Sequence, residues 1–310
     1  MKFRSKRIGV VAVLAMSVFF VESRGAAMRP SASMSGTYIW ASANRIYKWD
    51  AVQNKKTVLA VIPDGMQIGA LTKINADQLV FSAVNIAGPG SPYTLKNYLW
   101  LFDVHTGALK KLRPGLAPTY VATRHTLFFY AYNQRDKGFD LYSSDFHGAI
   151  AKAKVIHKGS FSSPSPVIQV SRNRIVLDYD VERAPHQVLD YDIDTEKWHL
   201  LPIQDCSPVL WRSATKQLLC TKGESFHYYL TSLEGDHRKK LKEWGAVVFS
   251  AYIRELDAAF AMRPRAFSTS EHNDVWVYYF KTGRWQKIVR GANAAQGSAV
   301  WVGARSRRPQ

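Results

Sequence analysis

Residues 120–157 read YVATRHTLFFYAYNQRDKGFDLYSSDFHGAIAKAKVIH, and this stretch decides the fold class. Its apolar and alternating runs are bounded by turn residues and predict four short strands, at residues 120–123, 126–132, 139–144 and 152–157. Several strands of this kind along the chain are apolar on both faces, which is typical of a sheet packed between two neighbours. Four short antiparallel strands make one blade of a β-propeller.

The same pattern of strand, tight turn and strand occurs six times along the chain. The turns are centred 39 to 53 residues apart, at Asn54, Gly107, Gly148, Glu196, Gly235 and Gly283. A repeat length in the forties is typical of propeller blades. We therefore predict an all-β fold, a six-bladed β-propeller that spans residues 37–303.

The two ends of this region predict how the ring closes. The first repeat has three strands, at residues 37–42, 45–50 and 56–61, and lacks the innermost strand of a blade. One strand, at residues 298–303, is left over after the sixth blade. Pairing this C-terminal strand with the N-terminal strand at 37–42 completes blade 1 and removes two exposed sheet edges.

The first 27 residues have the pattern of a secretory signal peptide. Four basic residues precede an apolar run at residues 8–21, and small residues follow it. The alternative is an uncleaved membrane anchor, but a bilayer span needs about 20 apolar residues. We expect a periplasmic or secreted protein with no transmembrane span after cleavage, a linker at 28–36, and a disordered basic tail at 304–310.

The charge is strongly basic. The chain has 42 Lys and Arg against 24 Asp and Glu, and removal of residues 1–27 leaves 37 against 23. Such an excess favours anionic partners such as lipid headgroups, acidic polysaccharides or acidic proteins, through an attraction that salt weakens. The alternative is that the charge serves general solubility. We expect no nucleic-acid partner, because the sequence has no recognition motif for one.

The fifth repeat, residues 207–241, reads SPVLWRSATKQLLCTKGESFHYYLTSLEGDHRKKL and resembles the TolB-type (WD-like) propeller repeat. The positions that match are Pro208, Trp211, Leu218, Leu219, Gly235 and Leu241. The usual Ser-Pro-Asp-Gly turn is replaced by residues 212–215. The resemblance implies a six-bladed ring that binds other proteins. It does not imply TolB itself, since TolB has a separate N-terminal domain, and only about ten residues precede the ring after signal cleavage.

The binding surface is expected on the rim that carries the connections between second and third strands. These connections are long, and loops longer than needed are where binding function usually lies. Arginine and tyrosine on these loops suit a protein partner. We expect this protein to be a monomer that binds such a partner. The candidate binding residues are Tyr93, Arg135, Lys137, Arg183, His186, Arg263, Arg265 and His272.

Catalysis has little support in the sequence. It contains no Gly-x-Ser-x-Gly elbow, no His-Glu-x-x-His helix and no phosphate loop, so we predict no catalytic residue, metal site or cofactor. One alternative is a metal-dependent, lactonase-like hydrolase that uses the central channel, for which Asp190, Asp192 and Asp194 are candidates. The other is a carbohydrate-binding propeller. The metal-dependent alternative is weakened because Asp192 and Asp194 border a turn, where Asp is favoured for structural reasons.

Cys206 and Cys220 are the only cysteines, and they fall on the first two strands of blade 5. An oxidising compartment permits a disulfide between them. A connection of three or five residues between the strands lets the two side chains face each other, whereas four residues shift the register and point them to opposite faces. The sequence leaves these alternatives open.

Overall fold

The computed structural model describes residues 34–85, 97–150, 152–161, 164–179, 186–222, 227–241, 247–264, 273–292 and 299–303. Within these ranges the chain forms strands and two single-turn 3₁₀ helices, Ala122–Arg124 and Arg254–Leu256. The strands make six four-stranded antiparallel sheets arranged in a ring. The predicted all-β, six-bladed propeller is confirmed.

The strands are numbered β1 to β24 along the chain. Blade 1 contains β1 (Gly36–Ser42), β2 (Arg45–Asp50), β3 (Lys55–Val61) and β24 (Ala299–Gly303). Blade 2 contains β4 (Met66–Lys73), β5 (Gln78–Asn85), β6 (Asn97–Asp103) and β7 (Leu109–Pro114). Blade 3 contains β8 (Leu116–Val121), β9 (Thr126–Asn133), β10 (Gly138–Asp145) and β11 (Lys154–Phe161). Blade 4 contains β12 (Ile168–Gln169), β13 (Arg174–Tyr179), β14 (Gln187–Asp192) and β15 (Lys197–Gln204). Blade 5 contains β16 (Ser207–Arg212), β17 (Gln217–Thr221), β18 (Tyr228–Thr231) and β19 (Lys239–Lys240). Blade 6 contains β20 (Val248–Ile253), β21 (Ala258–Pro264), β22 (Asn273–Tyr279) and β23 (Arg284–Ala292).

Two strands of blade 3 differ from their predicted positions. Its first strand is Leu116–Val121 instead of residues 120–123, because the ladder accommodates Pro118 at an irregularity between Leu116 and Thr119. The residues expected to end this strand form the 3₁₀ helix Ala122–Arg124. The fourth strand is Lys154–Phe161 instead of 152–157.

The innermost strands are the first of each blade, β24, β4, β8, β12, β16 and β20. Most of them contact the innermost strand of the next blade, as β24 does with β4 and β20. Between β8 and β12, the Thr119 hydroxyl donates to the Val167 carbonyl at 3.0 Å. The outermost strands are β3, β7, β11, β15, β19 and β23, so each sheet runs from the axis to the circumference.

The buried core lies between the blades. The described residues form six hydrophobic clusters, and each cluster joins two consecutive blades around the ring. The largest side chains buried between blades 6 and 1 are aromatic, with Tyr38 stacked on Phe260 at 4.0 Å between ring centroids. Burial against both neighbours explains why many strands are apolar on both faces.

The ring closes as the sequence predicts. β24 pairs antiparallel with β1, with Tyr38 opposite Trp301 and Trp40 opposite Ala299. Blade 1 is therefore built from both ends of the described chain. It is held to blade 6 by the same aromatic cluster and by a 2.8 Å hydrogen bond between Tyr38 Oη and Ser250 Oγ.

The connections from third to fourth strands lie at one end of the ring, together with those from first to second strands. We call this end the turn rim; its third-to-fourth connections are 51–54, 104–108, 146–153, 193–196, 232–238 and 280–283. All six predicted turn centres adopt a positive φ, between 50° and 82°. In blades 1, 2 and 4 the Oδ1 atom of an Asp at the end of the third strand accepts two backbone N–H bonds within the turn; these residues are Asp50, Asp103 and Asp192.

Candidate functional site

Antiparallel pairing places the remaining connections at the opposite end, which we call the loop rim. Its second-to-third connections are 43–44, 86–96, 134–137, 180–186, 222–227 and 265–272, and the links between blades end there too. Five of these six connections are four residues or longer. The described candidate residues Arg135, Lys137 and His186 lie at this end of the ring.

The described structure includes some of the predicted binding residues. Arg135, Lys137 and His186 are described in full. Arg263 pairs with Asp274 through the backbone of β21, and its side chain lies outside the described residues. Four further candidates lie outside the described residues altogether: Tyr93, Arg183, Arg265 and His272. The membership of these five side chains in a site remains a prediction.

The connection that carries Arg135 and Lys137 is held by Asn133. The Asn133 side-chain oxygen accepts the backbone N–H of Arg135 at 3.0 Å, and its amide nitrogen donates to Asp136 Oδ2 at 2.9 Å and to buried Asp140 Oδ2 at 3.1 Å. Lys137 adopts a φ of 51°. This turn exposes the Arg135 and Lys137 side chains, and neither has an ionic partner among the described residues.

His186 sits where blades 4 and 5 meet. Its Nδ1 atom lies 3.1 Å from Asp178 Oδ1 on β13 and 3.2 Å from Ser207 Oγ at the start of β16. The Asp178 side chain is 12% exposed and that of His186 is 30% exposed. Sequence reasoning selected His186 for its loop, but it missed Asp178 and Ser207 because they are 8 and 21 residues away along the chain.

Asp178, His186 and Ser207 are of the residue types found in a serine hydrolase triad, but their contacts differ from those of a triad. In a catalytic triad the carboxylate accepts from Nδ1, and Nε2 faces the nucleophilic hydroxyl. Here both Asp178 and Ser207 approach Nδ1. A flip of the ring exchanges Nδ1 with a carbon atom and does not bring Nε2 to Ser207. The arrangement orients the imidazole and joins two blades.

A second polar group lies between blades 3 and 4. Burial raises the pKa of Tyr130, and the negative charge of Asp178 raises it further. Burial lowers the pKa of His157, while a backbone hydrogen bond at Lys158 and the charge of Asp140 oppose this shift. The His157 ring also packs edge-on against Trp198, at 5.2 Å between centroids. A neutral His157 is consistent with this mostly aromatic environment.

A disulfide joins Cys206 and Cys220 next to Ser207, with their Cα atoms 5.1 Å apart. The connection between β16 and β17 has four residues, for which a regular ladder places the two side chains on opposite faces. A β-bulge between Pro208 and Leu210 adds one residue on the first strand and restores a common face. The turn length alone does not reveal this bulge, because the bulge forms only when β16 pairs with β17.

The carboxylates considered for a central metal have other partners. Asp190 is buried and accepts three hydrogen bonds from Arg174, the shortest 2.7 Å long. Asp192 accepts backbone N–H groups in its turn, and Asp194 pairs with Arg124 of blade 3. In the part of the chain that the structure describes, no group of three His, Cys, Asp or Glu side chains is placed to hold a metal ion.

Several charges of the turn rim are also paired, many of them between blades. Arg212 of blade 5 donates to Asp257 of blade 6, from Nε to Oδ1 at 2.8 Å. Other pairs at this rim are Arg124 with Asp194, Lys154 with Glu196, and His105 with Asp77. The turn rim thus uses these charges to join its own elements, whereas Arg135 and Lys137 on the loop rim face solvent.

Comparison with solved structures gives matches to other propellers, and three of them have 9 to 11% sequence identity. A chain in a crystal structure of a nidogen–laminin complex matches with a TM-score of 0.64 and 11% identity, over 86% of this chain and 98% of that one. TolB from Acinetobacter baumannii matches with a TM-score of 0.65 and 11% identity, over 87% of this chain and 67% of that one. A putative TolB from Agrobacterium tumefaciens matches with a TM-score of 0.59 and 9% identity, over 87% and 98%.

These matches show that the chain has the TolB-type propeller fold. No family model and no curated protein matches the sequence. Among the described residues, no helix has the length and apolar character required of a membrane span.

Proposed function

We propose that this chain is an exported, non-catalytic propeller that binds another protein of the cell envelope through its loop rim. The observation that carries the proposal is the exposure of two cations on a fixed turn of the loop rim. Arg135 and Lys137 project from a turn held by Asn133, whereas Arg124 and Arg212 on the turn rim are paired with carboxylates of neighbouring blades. Because the backbone of this turn is already ordered, binding there costs less conformational entropy than binding to a mobile loop.

The residues fit a protein partner with acidic side chains. Arginine is enriched among the few contacts that dominate interface energies, and its guanidinium pairs with carboxylates in two parallel hydrogen bonds. The side chains of Tyr93, Arg183, Arg263, Arg265 and His272 belong to the same proposed surface by their positions in the chain. The propellers of similar fold include one from a nidogen–laminin complex, so a ring of this kind occurs in at least one protein assembly.

Export rests on the predicted signal peptide at residues 1–27, which lies outside the described residues. The disulfide between Cys206 and Cys220 is consistent with an oxidising compartment. Among the described residues, no observation favours the metal-dependent central-channel hydrolase, since Asp190, Asp192 and Asp194 have other partners.

The test is site-specific photocrosslinking in living cells. A benzophenone amino acid at exposed Gln134, between the two candidate cations, is expected to capture a discrete protein adduct. Combining it with Arg135→Ala and Lys137→Ala is expected to reduce the adduct at least about fivefold, since each lost contact costs on the order of 1 kcal/mol. Mass spectrometry of the adduct identifies the partner.

The matched control places the same probe at Ala214, an exposed position on the turn rim. We expect no discrete adduct there. Equal capture of the same neighbour from Gln134 and Ala214, or an adduct at Gln134 that is unchanged by the two substitutions, would show that the loop rim is not the binding surface.

A further inference from the structure

The circumference of the ring carries charge of one sign. Every Asp, Glu, Lys or Arg on the six outermost strands is a Lys or Arg. Those with described side chains are Lys55 and Lys56 on β3, Lys110, Lys111 and Arg113 on β7, Lys154 and Lys158 on β11, Lys197 on β15, Lys239 and Lys240 on β19, and Arg284 and Lys287 on β23. We call this set the outer cationic belt. It is independent of the loop rim and of the function proposed for it.

The neighbouring third strands have the opposite tendency. Asp residues occur on five of them, at Asp50, Asp103, Asp140, Asp145, Asp190, Asp192 and Asp274. Most of these carboxylates have internal partners, such as Arg174 for Asp190 and Lys287 for Asp274. Most carboxylates of the third strands are therefore paired, whereas the outermost strands carry only positive charge, of which Lys154 and Lys287 are paired with carboxylates.

The belt reaches both faces of the blade edge in blades 1, 2 and 5. Lys55 and Lys56, Lys110 and Lys111, and Lys239 and Lys240 are consecutive residues on exposed parts of their strands. Because successive side chains of a strand point to opposite faces, each pair puts one cation on either side of its blade. The charges thus continue from blade to blade around the ring.

Some cations of the belt also have a packing role. Lys56 lies over the Tyr47 ring at 4.9 Å, Lys111 over Tyr98 at 3.4 Å and Lys287 over Trp276 at 4.9 Å. These contacts fix the ammonium groups at the circumference. A different subset has no ionic partner among the described residues and is exposed: Lys55, Lys110, Lys197 and Lys239.

Protection of sheet edges explains why charges are present but not why they share one sign. Lysine on an edge strand discourages pairing with another chain, and β3 needs this because it exposes Val58 and Val61. Glu would keep an edge soluble equally well. Six edges without a single carboxylate therefore require a second reason.

We propose that the outer cationic belt binds a linear polyanion, an acidic polysaccharide, that follows the circumference of the ring. Exposed cations of the belt lie on the outer strands of several blades around the ring, so a flat anionic surface such as a membrane meets only one arc of the belt at a time. A flexible chain with regularly spaced carboxylates can contact several blades in succession, and its affinity rises with each contact. The attraction is electrostatic and weakens as salt rises.

The test uses the mature protein and fluorescently labelled polygalacturonate, with neutral dextran as the control polymer. Fluorescence anisotropy at low salt is expected to show binding to polygalacturonate and none to dextran. The variant with Lys55, Lys110, Lys197 and Lys239 all changed to Gln is expected to bind about tenfold more weakly, with a shallower dependence of log Kd on log salt concentration. These four residues belong to four different blades and make no ion pair or cation–π contact among the described residues.

A matched control removes the same net charge from other exposed sites. Changing Arg45, Arg172, Lys216 and Arg254 to Gln is expected to alter the affinity less than about twofold, because only the screened long-range attraction is reduced. Equal loss of affinity in both variants would mean that net charge alone drives binding and would overturn the proposal. Failure of the wild type to bind polygalacturonate would also overturn it.

A second variant separates binding from edge protection. With Lys55, Lys110, Lys197 and Lys239 all changed to Glu, the edges stay charged, so we expect a monomeric protein by light scattering that no longer binds polygalacturonate. Retained binding in this variant would contradict the proposal.

Vesicles containing 30% phosphatidylglycerol test the membrane alternative. Belt-dependent binding to vesicles but not to polygalacturonate would overturn the proposal and assign the belt to a membrane surface instead.

Discussion

At the scale of single residues, turn glycines with the same positive φ differ in how much space surrounds them. Gly148 and Gly235 are both turn centres with a φ of 82°. A Cβ added at Gly148 meets nothing within 4 Å, whereas one added at Gly235 lies 2.4 Å from the Pro202 carbonyl oxygen on blade 4. The Gly235 turn therefore approaches its neighbouring blade closely, and the Gly148 turn does not.

This pair gives a matched prediction. Gly148→Ala is expected to cost only the left-handed backbone strain, about 1 kcal/mol of unfolding free energy. Gly235→Ala is expected to cost about 3 kcal/mol, because strand β15 must also move away from the added methyl group. Denaturant unfolding of the two variants measures the difference. Equal costs would show that the contact between Gly235 and Pro202 is not tight in solution.

At the scale of elements, polar contacts between blades supplement the apolar clusters. Asp257 accepts from Arg212 of the neighbouring blade and from the Tyr252 hydroxyl at 2.9 Å, and the guanidinium of Arg212 lies over Phe280 at 5.0 Å. The hydrogen bonds from Arg212 hold the pKa of Asp257 below its usual value, although burial opposes this. The ionised carboxylate is thus favoured in the folded ring.

The contribution of Asp257 to the unfolding free energy therefore depends on pH. A carboxyl whose folded pKa is depressed contributes stability above its unfolded pKa of about 3.9, and this contribution is lost as the pH falls through the folded value. Asp257→Asn is expected to lower the unfolding free energy by about 2 kcal/mol at pH 7, with the difference from wild type shrinking below about pH 4.

The control for this prediction is Asp145→Asn, at an exposed residue with no ionic partner among the described residues. We expect that variant to follow the wild-type stability at every pH. Urea unfolding between pH 3 and 8 provides the comparison. A constant difference between Asp257→Asn and the wild type across this range would contradict the assigned role of the Asp257 carboxylate.

Elements also differ in how well the sequence predicts them. Long strands such as β9 and β10 were predicted within one or two residues, because their apolar runs and the turn residues that bound them are present in the local sequence. The first strand of blade 3 was displaced, since Pro118 argues against a strand locally and only the ladder with β9 shows how it is tolerated. The bulge that aligns Cys206 with Cys220 is likewise a property of two paired strands.

At the scale of the whole molecule, the ring depends on its closing strand. β24 covers the inner edge of β1, and Ala299 and Trp301 pack on the aromatic cluster between blades 1 and 6. Removing β24 leaves an unpaired edge and exposes apolar surface of that cluster.

Deletion of residues 299–310 is therefore expected to lower the melting temperature by at least about 10 °C, since several kcal/mol of packing are lost. Deletion of residues 304–310 alone keeps β24 and is expected to leave the melting temperature nearly unchanged. Differential scanning calorimetry compares the two. An unchanged melt after the longer deletion would contradict closure through this strand in solution.

By itself, the amino-acid sequence determined the number of blades, the positions of their turns and the joining of the two ends, because periodic turn residues and apolar runs are local signals repeated six times. It also named the loop rim and His186 as a candidate. Only the tertiary structure decided that Asp178 and Ser207 share the Nδ1 atom of His186, that Asp190 is neutralised by Arg174, and that the basic residues form a belt. These relations join residues on different strands or blades, and their distances depend on strand register and on how neighbouring sheets pack, which no local pattern specifies.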